Sequence, residues 1–278
     1  MSVFMCTSFY EVIPTLDDVR LEISNLVGLQ EIKAQLETIV EIILDAEKHE
    51  SCGFTVIPPK PFHMVFVGNI GTGKSTVARI IGKLFYLAGV LPSFNVTEMQ
   101  GNQKMKDAGG GVLVVNIDEE DPINSNTLED IMALMDDGDT SIIFTGNCKA
   151  LNQYMKFNNE LYKRFSARLQ FDDFTCEELA MIIQKKANTK GEDSLTDGFE
   201  LDASCTTDHI AELIADVTPA NLRSMLNAHV LDQMLIESKK IHLESGFEQN
   251  TGERMISLTD LALGIQNGAQ IYMKLLNL

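Results

Sequence analysis

Nine consecutive residues, Gly68-Asn69-Ile70-Gly71-Thr72-Gly73-Lys74-Ser75-Thr76, carry the clearest chemistry in the chain. They fit the pattern G-x-x-x-x-G-K-[ST], whose glycines let successive backbone N–H groups turn inward around a polyphosphate while the following helix presents its positive end to the same anion. Lys74 would reach the β and γ phosphates, and Ser75 would offer its hydroxyl to Mg²⁺. The apolar run His63-Met64-Val65-Phe66-Val67 comes before the loop and a helical pattern from Val77 to Leu87 follows it. Strand, glycine loop and helix in that order are the context a phosphate site requires. The bland alternative is a glycine turn that merely joins two elements.

A second set of groups falls where a nucleotide site needs them. Val112-Leu113-Val114-Val115-Asn116-Ile117 reads as a buried strand interrupted by one amide, and it runs straight into Asp118-Glu119-Glu120-Asp121. At the carboxyl end of a parallel strand beside a phosphate loop, Asp118 would hold the water shell of the metal and Glu119 would polarise an attacking water. An acidic turn that caps the next helix is the alternative. Asn147 follows the strand Ser141 to Gly146; its amide would orient water against the γ phosphate, or it is a turn former. Cys148 has no neighbouring base to activate it, which argues against thiol catalysis, and His49 and His63 lack partners at metal-ligand spacing and read as structural.

These groups need a scaffold, and the pattern around them supplies one. Ile32, Leu36, Ile39, Val40 and Ile43 mark one face of a helix after Leu26. Phe94 to Thr97 reads as a short second strand, Lys104 to Asp107 as a single helical turn, Thr127 to Met135 as a helix and Leu169 to Phe171 as a final strand. The connection between the second and third strands is near the lower limit of about a dozen residues for a parallel crossover. Beyond Phe174 the alternation stops. Glu177–Lys186, Thr207–Val217, Asn221–Lys240 and Leu258–Ile265 are all helical in pattern, separated in part by a polar loop from Lys190 to Phe199. The expected fold is therefore α/β, a parallel sheet flanked by helices over residues 26–174, with an N-terminal segment 1–25 and a smaller α-helical lid domain over 175–278.

Composition narrows the class. The 278 residues carry 22 basic and 40 acidic side chains, a net charge of −18, which repels extended duplex phosphate and argues against a nucleic-acid partner. No apolar run reaches membrane-spanning length. The first twenty residues lack a basic stretch followed by an apolar one, and the five cysteines are odd in number with no C-x-x-C pair. An intracellular, reducing location is the expectation.

Taken together these stretches resemble the AAA+ ATPases of the CbbX or CfxQ type, which include the red-type Rubisco activases. The likeness runs from Leu26 to Gln100 and from Val112 to about Leu243, and within it His63 to Pro92 looks most like a plant branch in which the module follows ankyrin repeats. The resemblance implies a P-loop NTPase fold, ATP and Mg²⁺ as ligands, ATP hydrolysis, and a homo-oligomeric, hexameric ring acting on a protein client or regulatory partner. It makes Val27 and Gly28 part of the segment near the adenine, Gly68 to Thr76 the Walker A loop, Asp118 and Glu119 the Walker B pair, and Asn147 the sensor-1 residue. Asn158 to Phe165 matches N-P-G-L-R-S-R-F, which implies that Arg164 is an arginine finger serving the neighbouring subunit. Arg223 falls near the sensor-2 arginine.

Several positions depart from that pattern. The interval Gln100 to Gly111 lacks the helix and the Gly-aromatic-Gly pore loop of the family, Tyr162 replaces an arginine, Asn116 interrupts the Walker B strand, and Glu120-Asp121 replaces Ala-Tyr. Two functions follow from this balance: an ATPase that remodels a protein partner, and a nucleotide-dependent interaction module without threading. A small-molecule P-loop kinase would share the glycine loop but would not need the D-E pair or the helical tail.

Overall fold

A computed structural model describes residues 13–51, 63–118, 123–189, 195–196, 198–249 and 255–277. The chain begins with two helices, α1 (Leu16–Asn25) and α2 (Gln30–Ser51), followed by β1 (His63–Val67), α3 (Lys74–Leu87), β2 (Val96–Gln100) and β3 (Val112–Asn116). It continues with α4 (Ser125–Asp137), β4 (Ser141–Gly146), α5 (Cys148–Phe157), α6 (Asn159–Tyr162) and β5 (Phe165–Gln170). The remainder is α7 (Cys176–Ala187), β6 (Glu200–Leu201), α8 (Thr207–Val217), α9 (Ala220–Leu226), α10 (His229–Gln249), β7 (Met255–Ile256) and α11 (Leu258–Leu276).

Strands β1 to β5 form one parallel sheet in the order β2-β3-β4-β1-β5. The three inner strands are apolar and almost wholly buried, as expected of a sheet covered on both faces, whereas β5 at one edge alternates partly buried and exposed residues. One face packs Met64, Phe66, Val112, Val114 and Ile143 against α1, α2 and α3. The opposite face packs Val65, Val67, Leu113, Val115 and Phe144 against α4 and α5. A third core, built on Leu179, Ile183, Ile214, Leu231, Met234 and Ile265, holds the C-terminal helices together.

The parallel sheet and the helical region match the sequence reading, but several details differ. Helix α1 was not expected; its signal is the capping box Thr15-x-x-Asp18, in which each residue's side chain accepts from the other's backbone N–H. Strand β2 begins two residues later than Phe94, and Lys104 to Asp107 forms no helical turn. The last strand is Phe165–Gln170 rather than Leu169 to Phe171; edge exposure hides its apolar signal. The helix expected over Asn221 to Lys240 breaks at Asn227, whose φ of 44° no helix accommodates. Helix α11 runs eleven residues beyond Ile265, to Leu276. Most of the loop Lys190 to Phe199 lies outside the described residues, although Thr196 within it is buried.

His63 shows how β1 is anchored. Its ring is 8% exposed, Nδ1 accepts from the Ile142 N–H at 3.1 Å, and Nε2 donates to the Met135 carbonyl at 3.2 Å. That pattern requires a neutral ring, and burial pushes its pKa below 6.5 despite the Met135 carbonyl. The unfolded chain therefore takes up this proton first as pH falls through about 6.5, and the folded state loses stability until the lower folded value is passed. The urea midpoint should drop between neutral pH and about pH 5, and His63→Gln should remove that part of the dependence.

Candidate nucleotide site

The glycine loop leaves β1 at Gly68 and enters α3 at Lys74. Gly71 and Gly73 have φ of 76° and 93°, left-handed values that only glycine adopts at little cost, and they turn the loop back over the end of the sheet. Gly73 is the N-cap of α3 and supplies no side chain to bond the first N–H groups of the helix. By contrast α1, α4, α5, α7, α8 and α11 all carry a Thr, Asn or Ser cap. The start of α3, like those of α6 and α9, thus has no capping side chain on its first N–H groups.

That start opens on a cavity of about 830 Å³. Gly68, Asn69, Ile70, Gly71, Gly73, Lys74, Ser75 and Thr76 form one wall, Asn116, Asp118, Thr145 and Asn147 come from the strand ends, and Asn25, Leu26, Val27 and Leu29 close one side. Lys185, Lys186, Met225, His229 and Asp232 close it from the helical region. Lys74 donates to the Gly68 carbonyl at 2.9 Å and to the Asn69 carbonyl. Burial lowers its pKa to about 8, partly offset by Asp173. Thr72 is fully buried and spends its hydroxyl on the Asn69 carbonyl at 2.8 Å, so it shapes the loop rather than facing the cavity. Gly28 adopts φ of 61° beside Glu178 and turns the chain from α1 into α2 next to Val27.

The turn between α9 and α10 is docked on the loop. Asn227 Nδ2 donates to the Ile70 carbonyl at 3.2 Å and to Asp173 Oδ1 at 2.9 Å, and the Ala228 N–H donates to the Gly71 carbonyl at 3.3 Å. Asp173 also accepts from Asn69 Nδ2 at 3.0 Å and from the Ser224 hydroxyl at 2.6 Å. Burial works to raise the Asp173 pKa, but the bonds from Ser224, Asn227 and Asn69 and the Lys74 charge outweigh it and hold the carboxyl low. Asp173, Ser224 and Asn227 are residues that sequence reasoning missed, because nothing in local spacing says that they converge on Asn69 and Ile70.

The remaining expected residues divide by position. Asp118 and Asn147 line the cavity, and Asn147 is also the N-cap of α5, its Oδ1 accepting from the Ala150 N–H at 2.8 Å. The turn-forming role and the cavity position therefore coexist. Glu119, with Glu120 and Asp121, lies outside the described residues. Arg164 does not line the chain's own cavity; it donates to Asp136 at 2.8 and 3.2 Å, and this pairing raises its pKa while lowering that of the acid. Arg223 also lies off the cavity: although Met225 on the same helix lines it, the Arg223 guanidinium points back and donates to the Thr218 carbonyl. The cationic side chains that the helical region does bring to the cavity are Lys185, which donates to the Asn25 carbonyl, and Lys186, paired with Asp232 at 2.5 Å.

Comparison with known proteins agrees with this geometry. A family profile described as a domain of unknown function (DUF8495) matches residues 173–269. Stage V sporulation protein K of Bacillus subtilis is 29% identical over 195 residues, which are 61% of this chain and 60% of the relative. The chloroplastic ribulose bisphosphate carboxylase/oxygenase activase of Cyanidioschyzon merolae is 28% identical over 203 residues, 64% of this chain and 67% of the relative. The protein CfxQ homolog of Cyanidium caldarium is 28% identical over 191 residues, 60% of this chain and 65% of the relative. The chain thus spans about two thirds or less of the length of these proteins. Among solved structures, the Thermotoga maritima RuvB Holliday junction branch migration motor superposes with a TM-score of 0.52 at 20% identity, covering 90% of this chain and 70% of that one. The FIGL-1 AAA domain gives 0.52 at 14% identity, covering 90% and 88%. Sheet order, phosphate loop and C-terminal helices define an AAA+ fold. Within that class the chain resembles the CbbX/CfxQ type, a resemblance that the activase and the CfxQ homolog support.

Two outcomes check this geometry. Asn147→Ala should cost about 1 kcal/mol by denaturant unfolding, whereas Asn147→Ser, which still caps, should leave stability within about 0.5 kcal/mol. Asn227→Ala should cost about 1–3 kcal/mol, because Asp173, the Ile70 carbonyl and the Phe174 N–H each lose a buried partner.

Proposed function

We propose that the chain binds ATP with Mg²⁺ and hydrolyses it to remodel or regulate a protein partner. One observation carries the reading: an uncapped helix N-terminus, a half-buried lysine and two left-handed glycines meet at one wall of a cavity whose volume lies within the range of small-molecule sites. A phosphate group there would give Lys74 an acceptor in place of the Gly68 and Asn69 carbonyls. Ser75 and Asp118, both at the cavity, are oxygen donors suited to a hard cation that keeps most of its water. When bound, Mg²⁺ supplies positive charge at the phosphates as negative charge shifts during transfer. Asn147 would orient water from the end of β4, Glu119 would polarise it, and Val27, which lines the cavity, would lie near the adenine with Gly28 next to it in the chain but outside the lining.

Arg164 fits a role between subunits. A guanidinium that does not reach its own chain's cavity, on a short segment between α6 and β5, is placed to serve a neighbour's nucleotide in a homo-oligomer such as a hexameric ring. Its pairing with Asp136 holds the side chain in one orientation until such a neighbour arrives. Lys74→Ala should weaken ATP binding at least about tenfold. Glu119→Gln should keep ATP affinity while turnover falls about 10²-fold or more. Arg164→Ala should lower turnover by about 10³-fold without weakening ATP binding to the isolated chain. Specific ATPase activity should rise steeply with protein concentration, and a flat profile would remove the shared-site part of the proposal.

A second reading is a nucleotide-dependent interaction module. It is favoured by one observation: the connection from β2 to β3, residues 101–111, contains no helix and no aromatic side chain to grip a polypeptide. Photocrosslinking an unfolded test polypeptide in the presence of ATP separates the two. Labelling of residues 101–111 supports remodelling; labelling confined to the outer helices supports the module.

A further inference from the structure

Two buried side-chain polar atoms among the described residues lack a hydrogen-bond partner, the Thr145 and Tyr154 hydroxyls. Tyr154 belongs to the packed face behind the sheet, beside Phe144. Thr145 is different, because it lines the nucleotide cavity while remaining 97% enclosed. A buried hydroxyl with no partner costs stability, so its presence at a ligand cavity calls for an explanation.

The sheet register supplies one. Thr145 pairs with Asn116 on β3, and Asn116 pairs with Gln100 on β2. Register partners in a parallel sheet share a face, so these three polar residues form a row across the carboxyl ends of adjacent strands. Two positions earlier on the same face come Ile143 and Val114, which pack beneath α3 with Val77, Ile80 and Ile81. The apolar layer under α3 thus gives way to hydroxyl and amides at the end where α3 begins, and Lys74, Ser75 and Thr76 line the cavity there together with all three members of the row. Asn116, an amide in an otherwise apolar strand, is thereby accounted for.

We infer that Thr145, with Asn116 and Gln100 beside it, is a positioning residue for the hydrated Mg²⁺ carried in by the nucleotide, hydrogen-bonding water of the metal's shell rather than binding the metal itself. This rests on the nucleotide reading above. Hydroxyls and amides both donate and accept, which suits metal-bound water, whereas Mg²⁺ itself favours carboxylates and phosphates and gives up its water reluctantly. The alternative role for Thr145 is that of a β-branched strand residue that fills space.

Thr145→Val keeps shape and volume and removes only the hydroxyl. Equilibrium binding of ATP by the full chain, in excess Mg²⁺ and separately in EDTA, together with the thermal midpoint of the free protein, tests the inference. The Thr145→Val protein should melt at or above the parent temperature, bind ATP in EDTA within about twofold of the parent, and bind ATP in Mg²⁺ about tenfold more weakly. Thr145→Ser should restore the Mg²⁺-dependent affinity, and Asn116→Val should lose it in the same direction as Thr145→Val. Equal Mg²⁺-dependent affinity in Thr145→Val and parent, or an equal loss in EDTA and Mg²⁺, overturns the inference and leaves Thr145 a packing residue. A parent chain that binds no ATP under either condition overturns the nucleotide reading instead.

Discussion

The fold depends on a close approach between two stretches of backbone far apart in sequence, the phosphate loop at Gly71 and the helix break at Leu226 to His229. A Cβ on Gly71 would lie 2.1 Å from the Leu226 carbonyl and 2.9 Å from the His229 nitrogen, so the two backbones meet with no room for a side chain. The polar groups at this contact are largely paired. Asn227 gives its amide hydrogens to Ile70, Ser224 and Asp173 and takes the Phe174 N–H, and Asp173 collects Asn69 and Ser224 as well. Such a network is favourable only when its members are satisfied together, which explains why Asn227 holds a left-handed backbone in a buried position.

From that contact the geometry of the cavity follows. The sheet order β2-β3-β4-β1-β5 sends the chain one way from β1 to β2 and the other way from β4 to β5, so a crevice opens where the two directions part, above β1 and β4. The phosphate loop fills one side of the crevice, and the helical region, tied to the loop through Asn227, covers it. A ligand lying against Lys74 therefore touches a segment already bonded to the helical region. The helical region and the loop are joined by hydrogen bonds at Asn69, Ile70 and Gly71.

Away from the cavity the same chain shows a reduced connection and a held arginine. The crossover from β2 to β3 brings the chain back across the sheet without a helix, and it packs on the core by Ala108 and Met105. Arg164 is fixed by Asp136 at the end of α4, next to the Met135 carbonyl that His63 holds. The ion pair itself is at the surface, with Asp136 64% exposed, one residue along the chain from the carbonyl that anchors His63.

The sequence by itself determined the parts whose physics is local. Glycine spacing and flanking apolar runs announced β1, the loop and α3, because left-handed turns, strand burial and helix periodicity each leave a mark within a few residues. Continuous apolar runs likewise announced β3 and β4, and the helical pattern after Phe174 announced the C-terminal region. Where the signal is weak in one dimension, the reading slipped: β5 at the sheet edge was shortened, and one long helix was drawn through Asn227. Tertiary structure alone decided which distant groups meet. Asp173, Ser224 and Asn227 look like ordinary turn and helix residues until the fold brings them to Asn69 and Ile70, and Arg223, plausible in sequence, bonds Thr218 instead of lining the cavity. Thr145 reads as a common strand residue, and only the register that sets it beside Asn116 beneath the start of α3 shows a buried hydroxyl waiting for a partner. Periodicity reports which face a residue occupies; what stands opposite that face is fixed by contacts between segments that no spacing along the chain records.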